Sequence, residues 1–166
     1  NKKCMWEKYN AKWFMCDEAI EHIISIFKKE KYTTILEYGT NVGYLASKLS
    51  ETFEVTSIER DERFFKEAKK NCPNTTLYQG EIEAISPNLN EFDVVILDAE
   101  KSLYIKHFEL ALNHSPKMII ADNVISHKKK LITFLKHIEP YNPEIITVGD
   151  GLAIIHLEHS QNHSLN

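Results

Sequence analysis

Apolar residues in this chain follow two rhythms in turn, one of three to four residues and one of continuous β-branched runs. From residue 17 onward Ile20, Ile23, Ile24 and Phe27 fall on one face of a helix, with Asp17 placed to cap its start. "TTILEYG" (33–39) then reads as a buried strand, and "YLASKLSE" (44–51) as a short helix. "EVTSIE" (54–59) is a strand, "DERFFKEAKKN" (61–71) a helix capped by Asp61, and "TTLYQG" (75–80) a further strand. In "FDVVILDAE" (92–100), Val94 to Leu97 leave no polar face, so this strand must be covered on both sides. A helix through Tyr104, Phe108 and Leu112 follows, then a strand "KMIIADN" (117–123). Next comes a helix over 128–138 with Leu131, Phe134, Leu135 and Ile138 inward. The stretch 144–158 predicts two strands joined around Gly149-Asp150-Gly151, a hairpin signal.

Strands separated by single helices require right-handed crossovers. The predicted fold class is therefore α/β, a doubly wound, mostly parallel seven-stranded sheet with a C-terminal antiparallel hairpin. A length of 166 residues suits one domain, over 1–158, and the polar stretch 159–166 predicts a disordered tail. With 43% hydrophobic and 27% charged residues the composition is that of a soluble globular protein, and no apolar run approaches the roughly 18 residues of a membrane span. The first residues carry no apolar signal segment, so a cytoplasmic location is expected, and a start at Asn1 suggests a trimmed or partial chain. Cys4, Cys16 and Cys72 are odd in number and far apart, which fits reduced thiols. His156, His159 and His163 read as one strand residue and two tail residues, not as a metal cluster.

A net charge of −4 argues against a protein built to grip a long phosphate backbone. Lys28-Lys29, Lys69-Lys70 and Lys128-Lys129-Lys130 sit at helices or their ends, where solvated lysines are the rule.

Ligands of such sheets lie beyond the carboxyl ends of the strands, where the winding reverses. Gly39 and Gly43 clear the turn there and bring a ligand close to backbone N–H groups, although a packing role would serve both equally well. Glu59 ends the second strand 20 residues after Gly39, where an acid can accept hydrogen bonds from ribose hydroxyls. The glycine pattern is Gly-x-x-x-Gly, not the Gly-x-Gly-x-x-Gly that accommodates a pyrophosphate, so a nucleoside without pyrophosphate fits better than NAD.

Two other strands end on Asp98 and on Asp122-Asn123. If they are neighbours, about 4.8 Å apart, two carboxylates and an amide oxygen meet at one point. Such an all-oxygen set suits a hard cation, Mg²⁺ above others. The same residues also suit a helix cap at Asp98 and a turn at Asp122-Asn123. Lys101 emerges three residues after Asp98, as a solvated first-turn residue or as a base beside that cation.

"ILEYGTNVGY", "SIERDERF", "FDVVILDAEKSLY", "IIADNVI" and "VGDGLAIIHLE" resemble, in order and spacing, the metal-dependent O-methyltransferases that bind S-adenosylmethionine, the family of catechol and caffeoyl-CoA O-methyltransferases and their bacterial relatives. The likeness covers roughly residues 15–158. It implies a Rossmann-like methyltransferase fold and transfer of a methyl group from S-adenosylmethionine to a hydroxyl of a small catechol-like acceptor. By resemblance, Glu59 holds the ribose, Arg60 lies beside the adenine, and Glu81 and Ile82 line the adenine pocket. Glu37 and the loop carrying Gly39, Asn41 and Gly43 face the methionine portion, and Asp98 borders the same cofactor. Asp98, Asp122 and Asn123 hold Mg²⁺ or another divalent cation, and Lys101 is the general base. Glu144 lies where a catechol enzyme has an acid touching the second hydroxyl.

The pattern departs from the family in three places. Leu45 stands where a serine usually meets the cofactor carboxylate. Only 14 residues precede Met15, so most of the N-terminal helical region that usually shapes the acceptor pocket is expected to be missing or shortened. Only four residues separate Asn123 from the predicted helix at Lys128, where relatives carry a longer loop. An open mouth follows, which leaves a hydroxylated nucleoside in tRNA as an alternative acceptor, and a non-catalytic S-adenosylmethionine-binding protein as an alternative role. Relatives often pair, so a homodimer is also compatible.

Overall fold

Val94, Val95, Ile96 and Leu97 are apolar on both faces and wholly buried, and they form the middle of a seven-stranded sheet. In the computed structural model, which describes residues 5–157, the strands are β1 (Thr34–Tyr38), β2 (Glu54–Glu59), β3 (Thr76–Gln79), β4 (Val94–Leu97), β5 (Met118–Asp122), β6 (Glu144–Ile146) and β7 (Leu152–His156). Their order is β3-β2-β1-β4-β5-β7-β6. The first five are parallel, and β7 and β6 add the antiparallel edge predicted from the glycine hairpin. The winding reverses between β1 and β4, so a crevice opens beyond Tyr38 and Leu97.

Side-chain alternation splits the core into two layers. Ile35, Val55, Val94, Ile96 and Ile120 face α1 (Asp17–Glu30), α2 (Tyr44–Leu49) and α3 (Glu62–Asn71). Leu36, Tyr38, Val95, Leu97 and Ile119 face α5 (Tyr104–Leu112) and α6 (Ile132–Ile138). Of the predicted inward residues, Ile20, Ile23, Phe27, Leu131, Phe134 and Ile138 are buried, each contributing roughly 1.5–3 kcal/mol by removal from water, while Ile24 and Leu135 are partly buried at the edge of the two layers.

Several boundaries differ from the predicted ones. Asp61 caps α3 as expected, accepting from the N–H groups of Arg63 and Phe64. Asp17 does not cap α1. Cys16 holds the cap position, while the Asp17 carboxylate accepts a hydrogen bond from the Tyr44 hydroxyl. The helix expected from Lys128 starts at Ile132; the residues before it form turns, with Lys128 N–H bonded to the Ile125 carbonyl and Leu131 N–H shared between the His127 and Lys128 carbonyls. A four-residue helix, α4 (Ile82–Ile85), was too short to show a period. Among the described residues no helix is long and apolar enough to cross a membrane, and Cys16 and Cys72 are free thiols. The expectations for Cys4, His159, His163 and the tail lie outside the described residues.

Residues 5–14 pack on α2 and α3. The Tyr9 hydroxyl donates to Glu67 at 2.6 Å, and Phe14 stacks on Tyr44 at 4.6 Å. Trp13 reaches the Phe64 ring at 6.2 Å.

Candidate functional site

Beyond the carboxyl ends of β1, β2 and β4 lies a cleft of about 460 Å³. The turn after β1 forms its floor. Gly39 adopts φ +94, and a Cβ there would stand 2.5 Å from the Asp98 carbonyl oxygen, so only glycine lets the exits of β1 and β4 touch. Gly43, at φ +95, backs onto the Cys72 sulfur, which a Cβ would meet at 2.7 Å. Gly39 and Asn41 line the cleft, whereas Gly43 braces the turn from behind.

Glu59, at the tip of β2, is gripped by backbone. One carboxylate oxygen accepts from Asn41 N–H at 2.7 Å and the other from Asp61 N–H at 2.8 Å. Burial raises its pKa, and these N–H donors oppose the shift. Arg60 and Glu100 pair at 3.3 Å, joining the exits of β2 and β4, and both line the cleft. Glu81, Ile82 and Glu83, after β3, make the opposite wall.

Glu37 pairs with Ser57 in the sheet register and is almost fully buried, 1% exposed. Ser57 Oγ donates to it at 2.5 Å and lies 2.6 Å from Thr40 Oγ1. Burial pushes the Glu37 carboxyl up to about 8, against the hydrogen bond from Ser57.

Leu97 of β4 pairs with Ala121 of β5, so the next residue of each strand, Asp98 and Asp122, stand side by side. Burial raises both acids and their proximity raises Asp98 further, with Asp122 reaching about 6. The Lys101 ammonium lies 3.6 Å from Asp98 Oδ1, donates to the Ala99 carbonyl at 3.0 Å and sits over the Tyr104 ring at 5.0 Å. The Tyr104 hydroxyl in turn donates to the Asp122 carbonyl at 2.9 Å. Asn123, at φ +68, leaves the strand in a tight turn and donates its N–H to Asp122 Oδ1 at 2.8 Å. Its amide points to Asp150 of the hairpin, at 3.4 Å.

No family model matches the chain. It is 33% identical to a catechol O-methyltransferase of Niastella koreensis over 114 residues, 58% of this chain and 52% of that protein. It is 28% identical to an rRNA adenine N-6-methyltransferase of Escherichia coli over 93 residues, 53% of this chain and 38% of that protein. The chain thus spans about half, or less, of the length of these curated relatives. Among solved structures, an S-adenosylhomocysteine-bound methyltransferase of Podospora anserina superposes with a TM-score of 0.81 at 18% identity, covering 95% of this chain and 86% of that one. An O-methyltransferase of Bacillus cereus in complex with S-adenosylhomocysteine does so at 0.74 and 19%, covering 87% and 83%.

The fold is that of the methyltransferases. In this methyltransferase fold the expected residues fall into two groups. Gly39, Asn41, Glu59, Arg60, Glu81, Ile82 and Asp98 line the cleft, while Glu37 and Gly43 lie behind its wall. Asp98, Lys101, Asp122 and Asn123 gather at the tips of β4 and β5. Of the two local readings left open for these residues, the turn at Asp122-Asn123 is present. The cap at Asp98 is not, because Glu100 holds the position before the helical turn that carries Lys101. Leu45 is a core residue of α2.

The expectation for Glu144 is corrected. It is exposed on the edge strand, paired with His156 at 3.3 Å, and level with Ile154 and Ile120, two residues short of the Asp122 tip. The acid that does approach the tip is Asp150, whose Gly-Asp-Gly setting signalled only a turn. Glu83 and His107, which pair at 3.2 Å in the cleft wall, carried no sequence signal, being single polar residues on short or amphipathic helices.

Among the described residues no three His, Cys, Asp or Glu side chains form a metal-holding group. The expected set holds two such side chains, and its third donor is an amide. Two neighbouring carboxylates, Asp122 buried and Asp98 partly so, both raised by desolvation and Asp98 further by Asp122, are nonetheless a donor set that a hard cation would relieve.

Proposed function

We propose that this chain is an S-adenosylmethionine-dependent O-methyltransferase acting on a hydroxyl of a small catechol-like acceptor. The reading is carried by the side-by-side placement of Asp98 and Asp122 with Lys101 at the rim of a nucleoside-sized cleft. The catechol O-methyltransferase similarity supports it, as does the shared fold with the two S-adenosylhomocysteine complexes.

Glu59 would accept hydrogen bonds from the two ribose hydroxyls with lone pairs not used by Asn41 and Asp61. Ile82 and Glu81 would hold the adenine, with Arg60 beside it. The backbone at Gly39 and Asn41 would meet the methionine portion, with Glu37 behind. Asp98, Asp122 and Asn123 would hold a divalent cation, Mg²⁺ above others. A bound nucleoside would supply an electrophilic methyl carbon, and a cation held there would make an acceptor hydroxyl more acidic. Lys101 would take the hydroxyl proton on Nζ. The acceptor oxygen then forms its bond to the methyl carbon as the carbon–sulfur bond breaks, the electron pair returning to sulfur. An amine acceptor would need no such base, and so an acid pair with a lysine suits a hydroxyl.

Two measurements test this. Calorimetry should find binding of S-adenosylmethionine and none of NAD. Methyl transfer to a panel of catechols should require Mg²⁺ or another divalent cation. Cofactor binding without transfer to any hydroxylated acceptor would leave a binding protein and remove the enzyme.

A further inference from the structure

Past Asn123 the chain builds a second concavity, of about 550 Å³, whose entire lining comes from residues 125–132. Ile125 and Ile132 are 41% and 49% exposed and form its apolar part. Ser126, His127, Lys128, Lys129 and Lys130 complete a lining whose surface is mostly apolar, and no acid lines it. This contrasts with the cofactor cleft, whose lining includes Glu59, Asp61, Glu81, Glu83, Asp98 and Glu100.

The basic ledge is held in place. Ile125 and Ser126 N–H donate to the Asp150 carbonyl at 3.0 and 3.1 Å, and His127 N–H to the Asn123 carbonyl at 2.9 Å. Gly151 is bare where Ile125 packs, since a Cβ there would stand 2.4 Å from it. The same Asn123 and Asp150 border the paired acids. The backbone that carries these lysines is therefore tied to Asn123 and Asp150 beside the paired acids. Lysines on α3 are engaged differently: Lys66 and Lys70 pair with Glu62 and Glu67. Among the described residues no carboxylate stands within ion-pair distance of Lys128, Lys129 or Lys130.

Resting on the methyltransferase reading, we propose that the ledge binds an anionic group of the acceptor, so that the substrate is a small hydroxylated aromatic compound carrying a phosphoryl ester. The isoleucines receive its apolar linker, and the lysines its phosphoryl oxygens. One compact cationic spot on a chain of net charge −4 suits one or two phosphoryl groups, whereas a nucleic-acid track needs basic residues spread along a face.

The test compares a neutral catechol with the same catechol bearing a side-chain phosphomonoester. The phosphorylated acceptor should show at least a tenfold higher kcat/KM. The exposed triple variant Lys128→Ala, Lys129→Ala, Lys130→Ala should lose that advantage and leave turnover of the neutral catechol unchanged. Equal kcat/KM for the two acceptors, or an advantage that survives the triple variant, would overturn the proposal. A titration with inorganic pyrophosphate, read by amide shifts of residues 125–132, needs no turnover and so separates failure of the ledge from failure of the methyltransferase reading. Saturable shifts in the native chain, absent in the triple variant, support the ledge, and no shifts overturn it. An RNA oligonucleotide that binds a hundredfold more tightly than pyrophosphate, with steep salt dependence, would reassign the ledge to nucleic acid and overturn the small-molecule acceptor.

Discussion

The two sides of the crevice handle buried charge in opposite ways. On the β1–β2 side, Glu59 is bound by two backbone N–H groups and Glu37 by a chain of two hydroxyls. Each acid there is completed by the protein itself. On the β4–β5 side, Asp98 and Asp122 stand together with one lysine for charge compensation, and further acids, Asp150 beside Asp122 and Glu37 beside Asp98, raise them again. One side is pre-organised and complete, whereas the other is electrostatically unfinished, as the proposed cation site requires. The lesson is that the half expected to position a cofactor is built of satisfied hydrogen bonds, and the half expected to do chemistry is built of unmet charge.

The comparison is broken most severely at Asp122. Asp122→Ala removes one of the two facing carboxylates, and turnover should fall by about a thousandfold while calorimetric affinity for S-adenosylmethionine is unchanged. Activity within a few-fold of the native chain would show that the unmet charge has no role in chemistry. Lys101→Ala should lower kcat by about a hundredfold or more with little change in cofactor affinity, and the loss should shrink at high pH, where the acceptor ionises unaided. A pH-independent loss would make Lys101 a structural partner of Asp98.

On the complete side the effects should be smaller and of a different kind. Glu59→Gln places an NH₂ donor against a backbone N–H, so cofactor affinity should weaken by about ten- to a hundredfold with kcat at saturation nearly kept. A fall in kcat alone would count against the ribose assignment. The last prediction concerns stability and not turnover, at Glu37. Its folded pKa of about 8 exceeds the ordinary 4.5, so between these values the folded chain holds a proton that the unfolded chain has released. Stability conferred below that window is thus lost as pH rises through it, by up to about 1.4 kcal/mol per pH unit. Asp98 and Asp122 are raised too and act with the same sign. Glu37→Gln should flatten the decline in denaturation midpoint between pH 5 and 8 without removing it. An unchanged slope would mean that Glu37 titrates as an ordinary surface acid.

The legible parts of the molecule were those set by local pattern. The continuous apolar run of β4, the 3.6-residue face of α1, the Asp61 cap and the glycine hairpin each depend on neighbours in sequence, and each appears where expected. The strand ends carrying Glu59, Asp98 and Asp122 were legible for the same reason, since a run of buried residues that stops at an acid marks the rim of a sheet. Features that depend on distant partners were not legible. Glu144 occupied a suggestive place along the chain, yet the antiparallel register leaves it two residues short of the tip. Asp150 looked like turn chemistry, and only the packing of Gly151 under Ile125 brings it to Asn123.

By itself, then, the sequence determined the alternation of strands and helices, the two-sided burial of the sheet and the acids on its rim, because hydrophobic periodicity and capping are local. The tertiary structure alone decided which rim acids face one another, which glycine touches the cleft and which braces it, and where the lysine-rich loop is clamped. Those depend on strand register and on backbone bonds between residues far apart in the chain, and no local pattern encodes them.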